Sequence, residues 1–178
     1  MNLTENSSEE AKPASSVLTK IIEYLALGAG ILSAATVIFT LFITGYSVFQ
    51  RYILDTPLTW TDELSGFLVV AIVMLGAAET LRRGEHISVD LLSSKATGGR
   101  KKALGVWGYL ATAFVAAVLF VSAWDAVKFS WSIGVYSSGY LEAPLWIPQS
   151  LLLIGAGLLF LLSLARAIDL LRAKGKDQ

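Results

Sequence analysis

The stretch Tyr24–Gln50, YLALGAGILSAATVIFTLFITGYSVFQ, runs 27 residues without a charged side chain. A helix that crosses the hydrocarbon core of a bilayer needs about 20 predominantly apolar residues, so this run is long enough to span with tilt or to project beyond the core. Three further uncharged, mostly apolar runs follow, at Leu64–Ala78, Ala103–Trp124 and Ala143–Ala165. The second is the shortest. It spans if Thr80 and Leu81 add a turn and if Glu79 sits at the interface or pairs with Arg82 or Arg83, three and four residues on. A composition of 54% hydrophobic and 16% charged residues fits the same reading. The expected fold is an all-α integral membrane protein of four transmembrane helices arranged as two successive hairpins.

The expected division is a disordered cytoplasmic tail at residues 1–18, a four-helix membrane domain at 19–172 with spans about 24–50, 61–81, 103–125 and 143–166, and a short tail at 173–178. The opening residues, MNLTENSSEEAKPASS, are polar and acidic and lack the basic stretch and short apolar core of a cleaved leader. An even number of spans puts both termini on one side, and the basic residues sort strongly. Lys12, Lys20, Arg82, Arg83, Lys95, Arg100, Lys101, Lys102, Arg166, Arg172, Lys174 and Lys176 fall on the side of the termini, leaving Arg51 and Lys128 for the other. The excess of Lys and Arg on cytoplasmic loops then predicts cytoplasmic N and C termini. The basic run Gly98–Lys102, GGRKK, suits anionic lipid headgroups, and one such cluster gives no case for nucleic acid.

Tryptophan prefers the interface, where its ring is half apolar and its N–H reaches water. Trp60 and Trp146 stand before the two helices that run inward, Trp107 lies near the inner start of the third, and Trp124 and Trp131 flank its outer end. The outer loops TPLTWTDEL and EAPLWIPQS echo each other, each setting Pro-Leu and a Trp before an inward helix. In the first, Thr59 suits a cap, with Asp62 and Glu63 near the positive helix end.

Ionisable groups inside a membrane persist for function, and the centres of all four runs have none. Nor do the mid-spans carry proline interruptions of the kind that build transport sites from broken helices. One His and no Cys exclude paired haem ligation or a thiolate metal site, so neither a catalytic nor a metal-ligating set is expected. Small residues at Ala26, Gly30 and Ala34, and at Ala113 and Ala117, predict close helix contact at four-residue spacing.

Arg51–Leu92, RYILDTPLTWTDELSGFLVVAIVMLGAAETLRRGEHISVDLL, resembles the small membrane subunit of tripartite ATP-independent periplasmic (TRAP) transporters, the DctQ-like family. The matching positions are Arg51, Tyr52, Trp60, Asp62, Glu63, Leu64, Leu75, Gly76, Ala77, the run Arg82, Arg83, Gly84, Glu85, His86 and Ile87, then Asp90 and Leu91. Glu142–Pro148, EAPLWIP, is also similar to the pattern before the family's last helix. The resemblance implies a bacterial inner-membrane subunit that braces a large elevator-type transport subunit, fed with an organic acid by a periplasmic substrate-binding protein. Sodium coupling and substrate sites are then expected in the large partner, with no cofactor in this chain. It leaves open whether the acid is a C4-dicarboxylate, sialic acid or another. Arg51, Tyr52, Trp60, Asp62, Glu63, Gly76, Glu79, Arg82, Arg83, Gly84, His86 and Asp90 become candidates for subunit contact; for Glu79 and His86 the alternative is that they only set the helix end and orientation. Residues alone also admit an independent small homo-oligomeric carrier or channel.

Overall fold

A computed structural model of the chain describes residues 17–83 and 99–172. The described residues form four helices: α1 (Val17–Ile53), α2 (Trp60–Arg83), α3 (Gly99–Ile133) and α4 (Trp146–Arg172). Each is long and apolar enough to cross a membrane. Helices are what a chain this apolar must form, because lipid offers no partner to a backbone N–H or C=O and a helix satisfies both within one segment. Hydroxyls inside the apolar stretches follow the same rule: Thr36 and Thr40 on α1 donate to the carbonyls of Leu32 and Thr36, each at 2.8 Å. At 37 residues α1 is about 55 Å long, well beyond a hydrocarbon core of about 30 Å.

The helix ends are set by local chemistry. After α1, Asp55 takes a left-handed conformation (φ 52°), and the Thr56 N–H returns to the Gln50 carbonyl at 3.1 Å. Gly134, at φ 68°, ends α3, where a left-handed residue without a Cβ is unstrained; its N–H and that of Val135 both reach the Ser130 carbonyl. α2 and α4 each open on tryptophan, Trp60 and Trp146, as the matching outer loops predict.

Consecutive helices pair as expected, α1 with α2 and α3 with α4. The hairpins are joined through α2 and α4, with a smaller contact between α1 and α4. α1 and α3 therefore flank a central pair, and among the described helices α3 packs on α4 alone. A mostly apolar groove of about 440 Å³ is left beside α4, lined by residues such as Phe67 and Val70 of α2 and Leu119 and Ala123 of α3. The arrangement explains the burial pattern: α4 is half-buried nearly all round, whereas α1 and α3 show one narrow buried stripe each.

The close contact expected at four-residue spacing holds at Ala26, Gly30 and Ala113, is partial at half-buried Ala117, and fails at Ala34. Ala34 is exposed, and the inward line on α1 runs Ile22, Ala26, Ala29, Ser33, Thr36, Thr40, Ile43, Ser47. Steps of alternating three and four average 3.5, the period that keeps one seam facing a neighbour as two helices coil left-handedly. α3 repeats it through Gly105, Tyr109, Thr112, Ala116, Leu119, Ala123, Ala126 and Ser130. Lipid tails are as apolar as leucine, so contact must come from close van der Waals fit, and small residues along the seam allow it. A compact core of Ile22, Ala26, Ala78, Leu81 and Leu162 sits at the end where α2 finishes.

At the other end the Ser47 and Thr61 hydroxyls share a buried hydrogen bond of 2.9 Å between α1 and α2. Bonds of this kind in membranes average only about 0.6 kcal/mol, because separated helices also find partners. Ser47→Ala is thus expected to lower stability by less than about 1 kcal/mol, measured by thermal unfolding in detergent. A loss several times larger would mean that this hydroxyl pair, rather than seam fit, holds the first hairpin.

Candidate functional site

Charge is confined to the two ends of the bundle. At the first end, Glu79 on the last turns of α2 points inward with its side chain 11% exposed. Its carboxylate accepts from Arg82 Nε at 2.6 Å and Arg82 Nη2 at 2.7 Å, and from Arg83 Nε at 2.8 Å. The i,i+3 and i,i+4 spacing makes this possible, since both guanidiniums lie one turn beyond the carboxylate on the same helix face. A two-pronged arginine contact also fixes orientation as well as charge.

The cluster extends across helices. Arg166 of α4 bridges to Glu23 of α1 at 3.0 Å and donates from Nη2 to the Arg82 carbonyl, also at 3.0 Å. Three helices are thereby tied by five charged residues. On the α1 side, Gly30 leaves room for Glu79: a Cβ there would lie 2.6 Å from Glu79 Cγ. Nearby, Gly76 faces Ser33, whose hydroxyl donates to the Ile72 carbonyl at 2.8 Å.

At the opposite end Arg51 and Asp62 approach to 3.9 Å, but both are well exposed, and such pairs contribute little. Tyr52 is exposed beside Arg51, and Trp60 is half-buried at the start of α2. Glu63 does more than place negative charge at a helix start. Its carboxylate takes the Ser137 hydroxyl and the Leu141 N–H, the latter at 3.1 Å, so that α2 holds the loop between α3 and α4. That loop closes on itself through Ser137 N–H to the Ala143 carbonyl (2.9 Å) and Leu145 N–H to the Val135 carbonyl (3.0 Å). Gly139 sits against the carboxylate, where any Cβ would collide. Glu63→Ala is expected to release this loop while leaving the helices in place, seen as faster proteolysis within residues 134–145 and unchanged helix content. Cleavage at the parent rate would show that the loop's own hydrogen bonds suffice.

Among the tryptophans, Trp107, Trp124 and Trp131 are exposed and Trp146 is half-buried; Trp131 and Trp146 meet edge to face with centroids 4.9 Å apart. Gly84, His86 and Asp90 lie outside the described residues. The structure thus brings Glu79, Arg82 and Arg83 together and sets Arg51 near Asp62. It adds Glu23 and Ser137, which sequence reasoning did not single out, and it gives Arg166, placed from sequence only among the basic residues on the side of the termini, a carboxylate partner. A signal existed for Arg166: an arginine directly after an apolar run invites a carboxylate partner.

Between the two ends α1, α2, α3 and α4 carry no ionisable side chain and no break. Both carboxylates of the first cluster are already paired, which suits them to joining helices rather than moving protons. Among the described residues no three of His, Cys, Asp and Glu gather where a metal could be held.

Residues 40–173 match the family described as tripartite ATP-independent periplasmic transporters, DctQ component. A 60-residue stretch, 31% of this chain, is 33% identical to the sialic acid TRAP transporter permease protein SiaT of Haemophilus influenzae (strain 86-028NP). This chain aligns to 10% of that relative's length. No solved structure matches significantly. A family match over most of the chain agrees with the four apolar helices, and the chain therefore belongs to the DctQ-component family of TRAP transporters, as a multi-pass inner-membrane transport subunit and not an enzyme.

Proposed function

We propose that this chain is the scaffold subunit of a sodium-driven, binding-protein-dependent importer of organic acids, bracing a large elevator-type membrane subunit that carries the substrate and sodium sites. A periplasmic protein delivers the acid to the pair, and both termini of this chain face the cytoplasm. The observation that carries the reading is the placement of charge: charged groups, several of them paired, at the two ends of four unbroken helices, with uncharged side chains between them. A subunit that itself moved an organic anion with sodium would need polar or charged groups, or unwound backbone, near the middle of the bilayer. The wide apolar faces of α1 and α3 also suit a bracing role. Phe42 and Phe114 are 80% and 71% exposed there, and these faces must meet lipid or another subunit.

Co-purification tests this assignment. The tagged chain, expressed with the large membrane subunit encoded beside it and extracted in mild detergent, is expected to bring that subunit down in a stable one-to-one complex. Recovery of this chain alone as a homo-oligomer would contradict it.

A further inference from the structure

We propose that the polar cleft between α1 and α2 at the Glu79 end binds the phosphate of an anionic phospholipid headgroup. The cleft, of about 290 Å³, is lined by Lys20, Glu23, Tyr24, Leu27 and Arg82. The surrounding cluster holds four basic side chains, Lys20, Arg82, Arg83 and Arg166, against two carboxylates, Glu23 and Glu79. Arg166 pairs with Glu23, and Arg82 and Arg83 share Glu79. Lys20 has no ion pair among the described residues, so two positive charges are left over around the cleft. Arg82 commits two of its five N–H donors to Glu79, and the other three have no side-chain partner among the described residues. Surplus positive charge and unspent donors in a cleft between helices at the end of a span make a receptor for a phosphate oxygen, and basic pockets so placed bind anionic headgroups.

The flanking surface distinguishes a lipid from a free phosphate. Tyr24 lines the cleft and is exposed, and Ile31 and Ile38 continue from it at seven-residue intervals along the same outward stripe of α1, both exposed. A headgroup held by Lys20 and Arg82 would have its acyl chains laid along that stripe, with the Tyr24 ring at the boundary where amphipathic rings settle. Free phosphate would make no use of it.

Native mass spectrometry of the full-length chain in detergent, titrated with phosphatidylglycerol or phosphatidylcholine, tests the site. Phosphatidylglycerol is expected to bind preferentially, with affinity about fivefold lower in Lys20→Gln, the contribution of one basic residue at an anionic surface, and retained in Lys20→Arg. Arg172→Gln removes an exposed charge outside the cleft and is expected to leave binding unchanged. Equal binding of the two lipids, or equal losses in Lys20→Gln and Arg172→Gln, would overturn a specific site. Displacement of the lipid by millimolar inorganic phosphate would overturn the headgroup as its occupant.

Discussion

Replacing Gly155 by alanine is expected to pull the two helical hairpins apart. A Cβ at this position would lie 2.6 Å from Met74 Cβ and 2.7 Å from the Met74 carbonyl oxygen. A flexible side chain could swing aside, but the backbone of α2 cannot. Relief requires α4 to withdraw, and the α2–α4 face is the broad contact that joins the first hairpin to the second. Overfilled sites usually cost about 1–3 kcal/mol, and a clash with main chain belongs at the top of that range. Thermal unfolding in detergent, followed by loss of the monodisperse peak, measures it. Gly66→Ala is the control: nothing lies within 4 Å of its added carbon, and alanine is the better helix former, so stability should hold or rise slightly. If Gly155→Ala melts with the parent protein, α2 and α4 do not approach as closely as described.

Removing the Glu79 carboxylate is expected to be nearly as damaging, by a different route. Glu79→Ala strands two guanidiniums beside an apolar core, Arg82 being the more enclosed at 27% side-chain exposure and Arg83 the less at 59%. Breaking a buried ion pair from one side costs about 3–5 kcal/mol; here the lower end applies, because Arg83 can extend toward water and headgroups. Arg82→Gln in the Glu79→Ala background is expected to recover part of the loss, since the unpaired charge then disappears. The Arg82 carbonyl also accepts from Arg166, which holds Glu23, so the damage should reach α1 and α4. A Glu79→Ala protein as stable as its parent, and still assembled with the large subunit, would reduce this cluster to setting the helix end.

Much of this architecture is legible in the sequence because lipid imposes simple rules on each helix separately. Uncharged length identifies the spans, tryptophan marks the openings of α2 and α4, and the spacing of Glu79, Arg82 and Arg83 foretells their contact. What the sequence hides is which faces meet. In water a polar stripe marks the outside of a helix, but here Phe42 facing out and Leu162 fully enclosed are equally apolar. The inward seam of α1 is written in small residues at three-and-four spacing. A regular step of four through Ala34 reads equally well from composition and is wrong. Contacts distant along the chain are hidden for a related reason: Glu23 has no periodic relation to Arg166, nor Glu63 to Ser137. Gly155 reads as a close-packing position, but its partner, Met74, is not written in the sequence.

The central claim is that this subunit supports transport without carrying the substrate. Sodium-dependent uptake of the cognate organic acid into liposomes tests it most directly, with the binding protein supplied outside and the large membrane subunit reconstituted with or without this chain. Uptake that requires both membrane subunits, and that is absent when this chain is reconstituted alone, is the predicted result. Uptake by this chain alone would contradict the account.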